Sequence, residues 1–204
     1  AMGSTLAWAE YLHTCFGKEA IIAMPDAFPD FLSWMPDNEK ILRYDKHQER
    51  ISQAFKEADL VFCLDLNQPS RLQDMEKEAV ECKVLIDHHM GPAIDSIVTV
   101  SHEEMSSTCE LIFHIVWQLG GFDKLDKKFA TNLYCGMMTD TGGFTYNSNR
   151  PEIFFIICQL LTKNIDKDKI YRNVFNNYSS WAIRLRGYIM SQKLNVFEDL
   201  HASY

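Results

Sequence analysis

Val84-Leu85-Ile86-Asp87-His88-His89 is the stretch from which the fold can be read. Its aliphatic, β-branched run is that of a strand buried on both faces, as in a parallel sheet, and it stops at a carboxylate followed by two imidazoles. Open α/β sheets bind ligands beyond the carboxyl ends of their strands, so polar groups placed there point to chemistry. Two more carboxylates close apolar runs in the same manner: Asp65 follows Leu60-Val61-Phe62-Cys63-Leu64, and Asp140 follows Cys135-Gly136-Met137-Met138-Thr139. Together Asp65, His88 and Asp140 offer two carboxylates and one imidazole. Oxygen ligands suit Mg²⁺ and Mn²⁺, and an imidazole tilts such a set toward Mn²⁺, Fe²⁺, Co²⁺ or Zn²⁺. Asp87 and His89 flank the expected ligand. One of them can orient it, because metal-bound histidines usually donate their other N–H to a carboxylate or carbonyl. His89 could instead contact phosphate or move a proton near neutral pH.

Outward from this strand, helix and strand patterns alternate. Leu6, Ala9, Leu12 and Phe16 share a face, which predicts a helix over about 4–16 that ends at Gly17. Ala20 to Met24 reads as a strand, Phe31 to Met35 as a helical turn, Ile41 to Tyr44 as a strand, and His47 to Ala58 as an amphipathic helix. A loop through Asn67-Gln68-Pro69-Ser70-Arg71 leads to a helix near Met75 to Glu81. Ile97 to Val100 is a further strand. Ser107-x-x-Glu110 matches a capping box that opens a helix to about Leu119. Lys127 to Met138 is expected to be helical, with Asp140 at or just beyond its end. Three more helices are expected over Pro151–Leu161, Lys167–Phe175 and Ser179–Met190, the first opened by a proline suited to a first turn. The opening helix, glycine and strand form half of a βαβ unit, and a right-handed crossover calls for a strand before Ala1.

The chain has 204 residues, 47% of them hydrophobic, enough for one sizeable core. A net charge of −8 disfavours long duplex nucleic acid, which needs a basic face, while leaving room for a short phosphorylated substrate held by a metal. Cys15, Cys63, Cys82, Cys109, Cys135 and Cys158 lie in apolar surroundings without Cys-x-x-Cys spacing, as expected of reduced thiols in a cytoplasmic protein. The most apolar run, Ile153 to Leu161, is far shorter than the ~20 residues of a membrane span, so no membrane partner is expected. Ser107 and Thr108 suit either a phosphate contact or ordinary capping. Arg71 and Arg150, in loops, suit either a phosphate contact or a solvated surface.

Asp87-His88-His89, the strand-ending Asp65 and Thr139-Asp140-Thr141-Gly142-x-Phe144 resemble three successive motifs of the DHH phosphoesterases. Ser106-Ser107-Thr108-x-Glu110 and the run from Met137 to Asn149 resemble the branch that degrades short oligonucleotides (nanoRNA) and 3′-phosphoadenosine 5′-phosphate, often labelled exopolyphosphatase-related. The resemblance covers nearly the whole chain. It implies an α/β catalytic domain over 1–192, a parallel β-sheet flanked by helices, and a linker at 193–204 leading to an absent C-terminal substrate domain. It also implies two Mn²⁺ ions, with Mg²⁺ or Co²⁺ as substitutes. Asp65 would bridge both ions, His88 and Asp140 would complete the second site, and Asp87 and His89 would assist. The family's first motif, with a histidine and two aspartates, is absent, and Ala1-Met2-Gly3-Ser4 resembles the residues that directly follow it. The expectation is therefore a domain without its first strand, which turns over poorly by itself. The partner would be a short oligonucleotide or phosphorylated nucleotide. Polyphosphate, pyrophosphate or a cyclic dinucleotide are the alternative substrates, and a nucleotide-binding regulatory module is the non-catalytic alternative.

Overall fold

The computed structural model describes residues 1–200, 202 and 203. Helix α1 (Met2–Phe16) ends at Gly17, whose left-handed φ of 64° lets its N–H turn back onto the His13 and Leu12 carbonyls. Strands β1 (Ile22–Met24) and β2 (Ile41–Arg43) pair in parallel, with Ile22 opposite Ile41. Helix α2 (Tyr44–Glu57) follows, and then a second parallel ladder of β3 (Phe62–Leu64), β4 (Val84–Asp87) and β5 (Val98–Ser101), in the order β3-β4-β5. Helices α3 (Thr108–Gln118), α4 (Lys127–Asp140), α5 (Pro151–Leu161), α6 (Lys167–Phe175) and α7 (Ser180–Tyr188) complete the α/β arrangement. A two-residue antiparallel pair, β6 (Val196–Phe197) and β7 (Ala202–Ser203), lies in the stretch expected to be a linker, of which residues 201 and 204 fall outside the described ones.

Strand alternation builds two apolar layers. Leu64 and Ile86 face a core shared with α1, α3, α4 and α5, where Phe113, Phe129, Leu133 and Ile153 are almost wholly buried. Cys63 and Leu85 face the other way, onto Tyr44 and Ile51 of α2 and onto Leu72 and Met75. Helices therefore cover both faces, as the uninterrupted apolar run of β4 requires.

Several expectations are corrected. The helix anticipated over Met75 to Glu81 is a 3₁₀ segment spanning Pro69–Glu81, interrupted at Gln73, whose φ of 51° and ψ of −128° no helix accommodates. Helix α2 starts three residues earlier than its amphipathic pattern, because Tyr44 to Lys46 join it across a kink at His47 (φ −132°). The π-turn Ile189–Lys193 extends α7 past its regular part. The described parallel strands also form two separate ladders, flanking an apolar cleft of about 640 Å³ lined by Ile22 and Ala23 on one side and Phe62 and Cys63 on the other.

Glycines set how closely the helices meet. A Cβ on Gly136 of α4 would lie 2.2 Å from the Cys109 sulfur of α3, and one on Gly3 of α1 would lie 2.6 Å from the Asn132 carbonyl oxygen. Only hydrogen at these positions lets the three helices converge behind the strand ends. Gly136→Ala is expected to cost about 1–3 kcal/mol through overpacking, a loss read from the midpoint of chemical unfolding. A midpoint unchanged from wild type would show that the helices can separate at little cost.

Candidate metal centre

Asp65 leaves β3 with φ 64°, in the left-handed region where aspartate is among the better tolerated residues. Its N–H is tied to the Ile86 carbonyl at 3.0 Å, which keeps the residue beside the end of β4. One carboxylate oxygen accepts the Thr108 hydroxyl at 2.7 Å and lies 3.7 Å from His88 Nε2, while the other accepts the Ala1 ammonium. Burial works against the charge, but the ammonium, Thr108 and His88 outweigh it and hold Asp65 at a pKa of about 2. A strongly ionised carboxylate at the sheet rim is thus set up to hold a cation.

The two imidazoles are fixed by different partners. His88 Nδ1 lies 3.2 Å from the Met105 carbonyl oxygen, which can only accept, so Nδ1 carries the hydrogen and Nε2 presents its lone pair toward Asp65. Asp87 is fully buried, and its oxygens take the His89 Nδ1–H at 2.7 Å and the His89 backbone N–H at 3.2 Å. Arg71 donates to His89 Nε2 at 3.0 Å. A guanidinium only donates, so this contact also makes Nε2 the acceptor. The two rings lie 4.5 Å apart.

Asp140 stands at the C-terminal end of α4 and not at a strand end like Asp65 and Asp87, because the periodicity of Lys127 onward carries the helix through it. The chain then reverses through left-handed Gly142, Gly143 and Phe144, a turn held by the Thr141 hydroxyl, which donates to the Met137 carbonyl and accepts from the Phe144 N–H. Burial and the neighbouring Asp65 push the Asp140 pKa up, against the pull of the Ala1 ammonium, His88 and His89. Helix C-termini also favour cations over anions. The Ala1 amine is correspondingly raised: loss of water opposes its charge, but Asp65 above all, with Asp140 contributing, outweighs that.

One donor atom each from Asp65, His88 and His89 lie within 4.8 Å of one another, a spacing that fits a divalent ion. His89 shares this group, and Asp140 lies close enough to interact electrostatically with Asp65, His88 and His89. The donor set, a buried carboxylate of Asp65 with two imidazoles and Asp140 beside it, suits a divalent cation. Of the four residues considered for substrate contact, three are committed elsewhere. Ser107 is buried and caps α3 by accepting the Glu110 N–H at 3.0 Å, buried Thr108 serves Asp65, and Arg150 pairs with buried Glu110. Arg71 is exposed and reaches His89, so it faces the centre. Met105, whose carbonyl orients His88, was missed because a backbone acceptor leaves no mark in residue types.

An α/β fold with carboxylates and imidazoles converging beyond its parallel strands presents a candidate metal site. Residues 1–137 match the model of the DHH family N-terminal domain, and the chain belongs to that family of phosphoesterases, which are metal-dependent hydrolases. It is similar to an exopolyphosphatase-related protein from Bacteroides fragilis whose crystal structure superposes with a TM-score of 0.96. Identity is 45%, covering 100% of this chain and 60% of that one. It is 29% identical over 163 residues to the bifunctional oligoribonuclease and PAP phosphatase NrnA of Thermus thermophilus, covering 79% of this chain and 45% of the relative. An uncharacterised protein of Mycoplasma genitalium, MG371, is 24% identical over 175 residues, 86% of this chain and 51% of its own length. The chain spans about half the length of these curated relatives.

The raised pKa of Asp140 has a direct consequence for stability. An acid whose folded value lies above its unfolded one stabilises the fold at low pH and loses that contribution as pH rises through the folded value. At pH 7 its ionised form is therefore a cost to the metal-free chain. Asp140→Asn should raise the metal-free melting temperature, at about 2–4 °C per kcal/mol for a chain of this size, and should gain less than wild type on adding Mn²⁺. Scanning fluorimetry with and without Mn²⁺ reads both, and a lowered metal-free value would contradict the account.

Proposed function

We propose that this protein is a metal-dependent phosphoester hydrolase acting on short oligonucleotides, 3′-phosphoadenosine 5′-phosphate or both, with two divalent cations at the Asp65 centre and Mn²⁺ as the preferred ion. The observation that carries the reading is the convergence of Asp65, His88 and His89, with Asp140 beside them, at the carboxyl ends of the strands. The substrate class is supported by the relatives named oligoribonuclease and PAP phosphatase, and by a net charge that suits a short phosphorylated ligand better than long nucleic acid. Bound cations supply Lewis acidity toward the phosphate and lower the pKa of water. The chain's own residues do the rest. Asp65 and His88 Nε2 hold the cations, Asp140 adds negative charge, and Asp87 fixes the His89 ring. Arg71 meets the phosphate from the open side, and His89 Nε2, the unprotonated nitrogen, can accept a proton there. A reducing compartment such as the cytoplasm is supported by six free thiols, and no helix among the described residues is long and apolar enough to cross a membrane.

We further propose that the cleft between the two ladders takes one more parallel strand, the one that a right-handed crossover through α1 into β1 calls for. Each ladder turns a strand toward it, β1 on one side and β3 on the other, and α1 and α2 supply Trp8, Leu12, Ile51 and Phe55 as apolar cover. Buried Trp8, whose indole N–H has no acceptor among the described residues, lines it as well. A four-residue strand would span about 13 Å and end near Ala1, beside Asp65. Amide exchange tests this: those amides of β1 and β3 that face the cleft should exchange far more slowly in a longer chain that includes the preceding strand than in the 204-residue chain. Equal rates would leave the cleft without a strand.

Polyphosphate is the second substrate to assay, on the strength of the exopolyphosphatase-related neighbour. Full-length protein with Mn²⁺ should release mononucleotides from a dinucleotide faster than phosphate from polyphosphate. Loss of a ligand exceeds the roughly 10–100-fold typical of losing a group that orients one, so Asp65→Ala and His88→Ala should each lower kcat/KM by at least about 10²-fold. Arg71→Ala should act mainly on KM, by about tenfold, as expected for one charged hydrogen bond to phosphate. Tight nucleotide binding without release of product would replace the enzyme with a regulatory module.

A further inference from the structure

The peptide group between Met105 and Ser106 is gripped at both ends. Its carbonyl accepts from His88 Nδ1 at 3.2 Å, and its N–H donates to Glu110 Oε2 at 2.6 Å. The C=O and N–H of a trans peptide are rigid and point in opposite directions, so His88 and Glu110 hold one plane between them. Glu110 is fully buried. Its Oε2 also accepts the Ser106 hydroxyl at 2.7 Å, while Oε1 takes Arg150 and lies 3.8 Å from His114 Nε2. Burial opposes the charge of Glu110, but His114, Ser106 and Arg150 keep its pKa below the ordinary glutamate range.

Helix capping alone does not account for this. Ser107 is the N-cap of α3 and accepts the Glu110 N–H at 3.0 Å, as in a capping box. In that motif the glutamate carboxylate returns to the N–H of the N-cap itself. Here it goes past Ser107 to the N–H of Ser106, the peptide directly behind His88. An ionised acceptor on a peptide N–H polarises the group and strengthens its carbonyl as an acceptor.

We propose that Glu110 is a positioning residue for the metal centre. Through the Met105–Ser106 peptide it holds His88 in the Nδ1–H tautomer with Nε2 turned toward Asp65, and Arg150 serves as the counter-ion that keeps the buried carboxylate in place. The inference rests on the metal-centre reading above, adding a second tier to it: carboxylate, peptide, imidazole, cation.

Long-range ¹⁵N–¹H correlation of the metal-free full-length protein reads the tautomer directly. At a pH high enough to leave the imidazole neutral, wild type should show His88 protonated on Nδ1 alone, and a neutral ring with its hydrogen on Nε2 would overturn the proposal without any variant. Glu110→Gln removes the charge at nearly constant shape, and Glu110→Asp withdraws the carboxylate while keeping the charge for the fold. Either variant, once shown folded by circular dichroism, should mix the two tautomers and weaken Mn²⁺ binding in calorimetry by about tenfold, the low end of the range for losing an orienting partner. Wild-type tautomer and Mn²⁺ affinity retained in a folded variant would overturn the proposal. The tautomer is read without metal, so wild-type protein that binds no Mn²⁺ would count against the phosphoesterase reading, while the NMR result still decides the relay.

Discussion

Two carboxylates forced close together at the rim of a sheet are the constraint around which this protein is arranged. Asp65 raises the cost of ionising Asp140, and both are removed from most of the water that would otherwise screen them. Such a pair needs positive charge between or beside it. His88 and His89 lie close by. A divalent ion would meet the same demand with more charge and fixed geometry, which is why a site of this composition is a candidate metal site.

The scaffold brings that charge together through close packing. Asp65 follows β3, His88 follows β4, and Asp140 ends α4, so no local segment can assemble the site alone. Helix α1 lies along α4, and α3 packs on α4 with glycines at the nearest approach. That geometry puts the start of α1, the start of α3 and the end of α4 next to the ends of β3 and β4. Helix polarity then agrees with the chemistry. The N-terminal turn of α3 contributes Thr108 to the carboxylate, and the C-terminal end of α4 favours the cation that Asp140 needs.

Around the charged centre, each functional group is held by another that never touches the site. Asp87 is wholly buried and spends both oxygens on His89. Met105 turns a carbonyl to His88, and Glu110 in turn grips the peptide that carries it. Such support removes rotamer and tautomer freedom before a ligand arrives, which is how a site is held to the tolerance that coordination needs.

Much of this was legible in the residues. The apolar run of Val84 to Ile86 reads as a buried parallel strand because it is short, aliphatic and unbroken by any polar position. The termination of that run in Asp87-His88-His89, and of Leu60 to Leu64 in Asp65, marks the ligand end of the sheet. The α/β class and the helices from α3 to α6 follow from periodicity and caps, which are local properties. Tertiary structure alone decided what depends on long-range neighbours. His89 joins Asp65 and His88 in one cluster, Ser107 and Arg150 are spent on buried Glu110 and Thr108 on Asp65, and the segment from Pro69 to Glu81 winds as an interrupted 3₁₀ helix. A sequence names which side chains can bond, whereas the distance between residues as far apart as Asp65 and Thr108, 43 positions along the chain, is set only when the whole core closes.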